Sequence, residues 1–223
     1  MSRSSRAPVI VGVLTFLYSM VGVSVPSFWT DEAASVSAVD RDFPQLLGML
    51  GTVDAVHGVY YGLMYGWTRI FGLSELSMRT PSLLAVAVAA GLLMALCRRL
   101  GGTAYGVSAA VIFVILPRVQ YVATDARSYA LTVLGAVLAT YLLVLIRESP
   151  SKLLWLGYGL TGLVTVSLSF YSVLLVVAHG ITLLVDERLR RQWRPMAVAS
   201  VAWLVPAALI AAVASRQQFQ IAW

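Results

Sequence analysis

Cysteine is nearly absent from this chain: Cys97 is the only one in 223 residues. An internal disulfide and any multi-cysteine metal site are therefore excluded, and Cys97 reads as a small apolar filler in a helix. Asparagine is missing, and Lys152 is the only lysine beside fifteen arginines. That bias reads as a GC-rich, bacterial genome and carries no chemistry. Charge is scarce as well, at 12% of residues against 59% hydrophobic, with a mean hydropathy of +0.83. A soluble domain of this size rarely carries so little charge, so the composition points to an integral membrane protein. The charge present is unbalanced, sixteen basic residues to ten acidic, for a formal net charge of +6. No internal repeat, low-complexity tract or second domain is visible.

What fills the chain is long apolar runs. About 20 apolar residues cross the hydrocarbon core as a helix, and 8–27, 80–97, 104–122, 128–146 and 196–214 meet or nearly meet that length. The opening "MSRSSR" and the apolar run after it resemble a signal peptide. The run is long and lacks a clean small-x-small site, which predicts an uncleaved first span. Between Lys152 and Asp186 the apolar run would measure roughly 50 Å as one helix, too long for a core of about 30 Å. Both of its flanks, "RESPSK" and "DERLRRQWR", are basic and so read as cytoplasmic, which predicts a reversal near "SLSFYS" (167–172). Seven spans result.

The segment "HGVYYGLMYGWTRIFG" (57–72) decides the topology. If it lies on the outer surface, ten basic residues fall inside and six outside; if it spans, the count is seven to nine. The positive-inside rule selects the first arrangement. It creates an outer loop over 28–79 with expected interfacial helices at 31–39, 43–51 and 57–72, a length that is usually functional. It also puts "TDARSYA" (124–130) on the same side, with seven of the ten acids: Asp31, Glu32, Asp40, Asp42, Asp54, Glu75 and Asp125. Gly58, Gly62 and Gly66 recur every four residues, a stripe expected to pack on a neighbouring helix. Tyr60, Tyr61 and Tyr65 are expected in an aromatic belt.

Asp31 follows Thr30 and Asp125 follows Thr124. Each can be read as an acid in the first turn of a Thr-capped helix. Each also stands at the mouth of a membrane bundle, where an ionised group is costly without a task or partner. Arg79, Arg118 and Arg127 are expected near the same plane, and snorkelling to the interface would account for them too. For Arg118, after Pro117, a kink is an equal reading. Glu75 is expected to pair with Arg79 four residues on, Asp54 to cap the helix near His57, and His179 to be internally hydrogen-bonded.

Order and spacing say more than any of these singly. A "DE" pair after the first span is followed by "HGVYY", then "RTPSLLAVAVAAGLLMALCRRLGG", then "DARSYAL". This series resembles the N-terminal half of the GT-C membrane glycosyltransferases, nearest the polyprenyl- and dolichyl-phosphate-mannose-dependent mannosyltransferases. The chain departs from the family pattern where Gly58 and Val59 replace two prolines and where Asp125 stands in place of the more usual Glu. Family members usually continue for several more spans, so the resemblance implies the N-terminal part of a longer module. The expected fold is an all-α, GT-C-like transmembrane bundle with a single domain over 1–223.

The resemblance implies an inverting transfer of a sugar, mannose first, from a polyprenyl-phosphate donor to an acceptor hydroxyl on the extracytoplasmic face of a bacterial plasma membrane. The acceptor would be a glycolipid, a polysaccharide or a protein, and nucleic acid is no partner. A hydroxyl attacking the anomeric carbon benefits from a positioned base, a role the resemblance gives to Asp31, with Glu32 and Asp125 as its companions in the catalytic group. The departing phosphate needs fixed cations rather than a proton. Arg79 and Arg127 are the candidates, with His57 and Tyr129 completing the substrate-binding set. Some relatives of this kind hold a divalent metal at their acids, so a metal near Asp31 and Asp125 stays open, though no ligand-rich cluster is present. A transporter or flippase subunit and a non-catalytic scaffold are the alternatives, and a glycoside hydrolase would also use two carboxylates.

Overall fold

The computed structural model describes residues 3–220. The first two residues of "MSRSSR" and the last three of "RQQFQIAW" lie outside them. The described residues are helical, without a strand. Helix α1 (Arg3–Ser19) is followed by three short helices, α2 (Thr30–Val39), α3 (Phe43–Leu50) and α4 (Gly58–Phe71), with a 3-10 turn, Ala55–His57, before the last. Then come α5 (Glu75–Ile115), α6 (Pro117–Ala123), α7 (Tyr129–Glu148) and α8 (Lys152–Leu168). A 3-10 turn, Phe170–Val173, leads to α9 (Leu174–Val185), α10 (Glu187–Arg190) and α11 (Trp193–Ala214). Helices Glu75–Ile115, Tyr129–Glu148 and Trp193–Gln217 are long and apolar enough to cross a membrane, with mean hydropathies of 2.1, 2.3 and 2.2. Arg6–Ser19, Lys152–Leu168 and Phe170–Val185 are apolar but shorter.

The 41-residue α5 is two arms rather than one rod. Gly102 has φ 88 and ψ −179, a backbone conformation that side-chain-bearing residues resist. Beyond it the chain doubles back: a Cβ on Gly106 would come within 2.7 Å of the Met94 carbonyl oxygen. In a straight helix those two residues would stand about 18 Å apart. The second arm ends at Leu116, whose φ of −64 and ψ of 123 are extended. Pro117 forces this, because the residue before a proline is driven out of the helical region. The single helix expected over 104–122 is therefore two pieces, the second arm of α5 and α6.

Direction alternates from one long helix to the next. A Cβ on Gly91 would come within 2.6 Å of the Pro8 carbonyl oxygen, and one on Gly12 within 3.0 Å of that of Ala87, so α1 runs antiparallel to the first arm of α5. Gly157 faces Leu142 and Gly135 faces Thr165, which makes α7 and α8 antiparallel. The chain turns through 169–173, and His179 on α9 returns to Tyr158 on α8 at 2.8 Å. Trp203 on α11 fills the space where Gly162 lacks a side chain and donates its indole N–H to the Gly159 carbonyl at 3.2 Å.

Ion pairs mark one end of this bundle: Arg99 with Glu148 and Arg147 with Asp186, both at 2.5 Å. The short helices gather at the other end. There Gln217 binds the Leu50 carbonyl (3.2 Å) and the Ala55 N–H (3.3 Å), tying the close of α11 to the segment between α3 and α4. Two expectations fail at this end. Gly58 faces Leu50 at the end of α3, but Gly62 and Gly66 are exposed and a Cβ on either would touch nothing, so the stripe is not a continuous packing face. Tyr60 and Tyr61 form no belt: both are buried, in a core with Leu46, Met64, Met78 and Ala126. The tyrosines point inward because the apolar face of α4, at Tyr60, Tyr61, Met64 and Thr68, follows the i, i+3, i+4 spacing of a core-facing helix.

Candidate active site

The two acids of "FWTDEAAS" are adjacent on the first turn of α2 and have opposite environments. Successive residues on a helix project about 100° apart, so one can face the core while the other faces its edge. Glu32 is fully buried. Its Oε1 accepts from Arg79 Nε (2.8 Å) and the Ala126 N–H (2.9 Å), and its Oε2 accepts from Arg79 Nη2 (2.6 Å). Burial works against its ionisation, but the Arg79 and Ala126 hydrogen bonds outweigh it and hold its pKa below the ordinary carboxylate value. Asp31 is half-buried, and among the described residues its carboxylate accepts no hydrogen bond.

Arg79 is spent in the same lock. Beyond Glu32, its Nη1 donates to the carbonyls of Val23 (2.6 Å) and Pro26 (2.8 Å), and its Nη2 to that of Ser27 (3.3 Å). A guanidinium has five N–H donors, and here five protein acceptors take them. The expected Glu75 partner is replaced by Glu32, which lies across the fold rather than along the helix. This single side chain therefore ties the start of α5, the turn after α1 and the start of α2 together.

Arg127 is different. Among the described residues no carboxylate pairs with it. Its Nη1 donates to the Asp31 carbonyl (3.3 Å) and the Tyr61 hydroxyl (3.4 Å), and its Nη2 lies 3.2 Å from His57 Nε2. Tyr61 in turn donates to Asp54 Oδ2 at 3.1 Å, and burial followed by the Asp54 charge pushes its pKa up to about 12. Asp54 stands in the left-handed region (φ 55), which Asp tolerates better than most residues. It occupies the N-cap position of the turn at Ala55–His57, but its carboxylate serves Tyr61 instead of the backbone. His57 has its pKa lowered, first by burial and then by the Arg127 charge, against the pull of Asp54 and Asp31. Because a guanidinium only donates, His57 Nε2 is the acceptor in this contact.

Asp125 is also buried, at 2% exposure. Trp29 Nε1 donates to its Oδ1 at 3.2 Å, and Ser82 Oγ donates to its backbone carbonyl at 2.6 Å. Its Oδ2, like the nearby Tyr60 hydroxyl, is buried without a hydrogen-bond partner among the described residues. Burial pushes the Asp125 pKa up to about 6, the Trp29 bond opposing and the Glu32 charge reinforcing the shift. Tyr129 opens α7, 37% exposed.

Neither threonine caps as expected. Trp29 holds the N-cap position of α2, and Thr124 ends α6 rather than starting α7. Trp29 and Ser82 are the residues that sequence reasoning overlooked. Both sit inside quoted motifs, Trp29 two residues before Asp31 and Ser82 in "RTPS", but neither residue type announces itself as chemistry. Among the described residues no group of three or more His, Cys, Asp or Glu side chains converges to hold a metal ion. A groove of about 520 Å3 between α1 and α5, lined by Pro8, Gly12, Phe16, Leu84, Val88 and Gly91 among others, offers only apolar contact.

The family model described as dolichyl-phosphate-mannose-protein mannosyltransferase matches residues 59–218. That span includes Arg79, Asp125 and Arg127 and begins after Asp31, Glu32 and His57. No curated protein and no solved structure matches the chain.

Proposed function

Since the chain belongs to the dolichyl-phosphate-mannose-protein mannosyltransferase family, we propose that it moves mannose or a related sugar from a polyprenyl-phosphate donor to an acceptor hydroxyl. The reaction takes place at the non-cytoplasmic face of a bacterial plasma membrane crossed seven times, with the short helices α2, α3 and α4 lying on the outer surface. Asp31 acts as general base. The observation that carries this reading is the contrast between neighbours: Glu32 has its oxygens filled by protein donors, while among the described residues the Asp31 carboxylate has none. A base must be within hydrogen-bond reach of the proton it takes and free to take it.

The roles of the other residues follow from how much of each is spoken for. Glu32 and Arg79 hold α2 against α5 and do not touch substrate. Arg127, without a carboxylate partner, meets the donor phosphate, with His57 and Tyr61 fixing the plane of its guanidinium. A preorganised cation stabilises the charge that grows on the leaving phosphate without reorganising as the bond breaks. Asp125, carrying its proton more readily than an ordinary carboxyl, orients the acceptor. One base and no covalent intermediate give inversion at the anomeric carbon. Transport is less well supported, since charged side chains cluster at the two ends of the helices instead of facing one another midway.

The test is Asp31→Asn, assayed for mannose transfer from a polyprenyl-phosphate donor into membrane-fraction acceptors. A loss of about 100-fold or more is expected with donor binding retained. Undiminished transfer by a folded variant removes the base assignment.

A further inference from the structure

At the outer end of the second α5 arm, three side chains that the mechanism above does not use stand together. Arg118 is exposed, and among the described residues it makes neither a hydrogen bond nor an ion pair. Its guanidinium lies 5.0 Å from the centroid of the Tyr121 ring. Tyr121 meets Trp29 edge-to-face, ring centroids 6.1 Å apart. Trp29 is 43% exposed and Tyr121 41%, so this aromatic pair presents open ring surface. The pair is not loose, because the Trp29 indole is pinned to the buried Asp125 and its backbone N–H points to Glu32 Oε2 at 3.4 Å. Tyr121 also lies within electrostatic reach of both Asp31 and Asp125.

Resting on the proposed function, we propose that Arg118, Tyr121 and Trp29 form the subsite that receives the donor's phosphosugar: Arg118 joins Arg127 on the carrier phosphate as a second cation, and the two rings wall the sugar beside Asp31. A guanidinium braced on an aromatic face keeps its N–H edge free for bidentate contact with phosphate oxygens. An amphipathic ring at the bilayer edge offers its apolar face to the C–H side of a pyranose while the hydroxyls stay with water. The local chain explains the placement. Pro117 ends the preceding helical arm and restarts the backbone as α6, which sets Arg118 and Tyr121 three residues apart, on one side of a new turn. Arg79, one of the two cations the sequence offered for the phosphate, has no N–H left for this task. The membrane supplies a rival source of the same chemistry, since a phospholipid headgroup also carries a phosphate.

The two sources separate experimentally. Full-length protein in phosphatidylcholine nanodiscs is titrated with polyprenyl-phosphate mannose, and its affinity for phosphatidylglycerol vesicles is measured alongside. Arg118→Gln is expected to weaken donor binding about tenfold or more, Arg118→Lys to recover it only in part, and Tyr121→Leu to weaken it severalfold where Tyr121→Phe does not. Because Arg118 bonds to no group among the described residues, Arg118→Gln should fold normally. Donor affinity unchanged in Arg118→Gln, whether or not vesicle binding falls, overturns this subsite while leaving the Asp31 assignment standing. An unmodified protein that does not bind polyprenyl-phosphate mannose overturns both.

Discussion

A polar cluster is buried at each end of the described bundle, and the two differ in what is left over. In the C-terminal bundle, Thr140 donates its hydroxyl to the Ala136 carbonyl at 2.8 Å, so it can only accept from His179 Nε2 at 3.3 Å. His179 Nδ1 is then bare and accepts a hydrogen bond from the Tyr158 hydroxyl at 2.8 Å, and the Tyr158 and Trp203 rings lie 4.7 Å apart. Thr140, His179 and Tyr158 thus satisfy one another, and the leftover beside them among the described residues, the buried Trp155 Nε1 whose ring meets Tyr158 edge-on, is an indole N–H with no acid–base chemistry to offer. At the other end, Glu32 and Arg79 are complete, yet beside them the Asp31 carboxylate, Asp125 Oδ2 and the Tyr60 hydroxyl have no hydrogen-bond partner among the described residues. Burial of an ionisable group is thus a poor marker of chemistry by itself, because structural groups are buried and satisfied. Unspent hydrogen-bonding capacity, next to a rigid and fully spent frame, is the better one.

The sharpest way to break this contrast is to cut the frame. Arg79→Ala leaves Glu32 buried and unpaired, a change that costs about 3–5 kcal/mol in comparable buried pairs. Arg79→Lys should rescue little, because one ammonium cannot meet acceptors in three directions. The expected result is loss of thermal stability or of folded yield in both variants, read by thermal unfolding in detergent. A folded, fully stable Arg79→Lys protein with impaired donor binding would return Arg79 to the substrate and dissolve the distinction between frame and site.

A smaller effect follows from Asp125. A carboxyl whose folded pKa of about 6 lies above its ordinary 3.8 holds its proton more tightly when folded. Its contribution is therefore full below about pH 4 and is lost as pH rises through about 6, the reverse of an ion-paired acid. The loss is about 3 kcal/mol over the full range, and about half of it falls between pH 5 and pH 7. Glu32, with a lowered pKa, acts in the opposite sense, but below its ordinary value of 4.5 and so outside that window. His57, with a lowered pKa, adds stability as pH rises over the same window in parent and variant alike. Thermal unfolding from pH 5 to pH 7 should therefore show the change in the parent displaced toward loss relative to Asp125→Asn. Parallel profiles would mean that Asp125 is not held protonated by its surroundings.

Much of this was legible before any coordinate. Long apolar runs and the distribution of arginines gave the helices and the reversal near Phe170, because both obey one-dimensional rules of length and charge. The fold-back at "RRLGG" was visible as two runs around basic residues and two glycines, though not which glycine turns. What the chain could not declare was partnership across the fold. Glu75 stands four residues from Arg79 and is the local choice, but Glu32, forty-seven residues away, wins because burial rewards a pair that fills the guanidinium fork. The tyrosines of "HGVYYG" read as a belt since aromatics favour interfaces, and only the packing of α4 reveals them as core. Trp29 escaped notice for a similar reason: its indole N–H matters through Asp125, ninety-six positions on.

The smallest expected effect is the most direct control on the comparison. Tyr158→Phe removes the one donor to His179 Nδ1 and leaves the ring, its stacking on Trp203 and the helix crossing in place. Interhelical hydrogen bonds in membrane proteins contribute about 0.6 kcal/mol on average and about 1.7 at most, since the separated helices find other partners in the bilayer. A stability loss within that range is expected, with mannose transfer at the parental rate and donor affinity unchanged. A satisfied cluster holds helices and nothing more, so its removal is felt only as packing. A Tyr158→Phe protein that kept its stability but lost transfer would place His179 in the chemistry, and completeness of hydrogen bonding would then no longer separate scaffold from site.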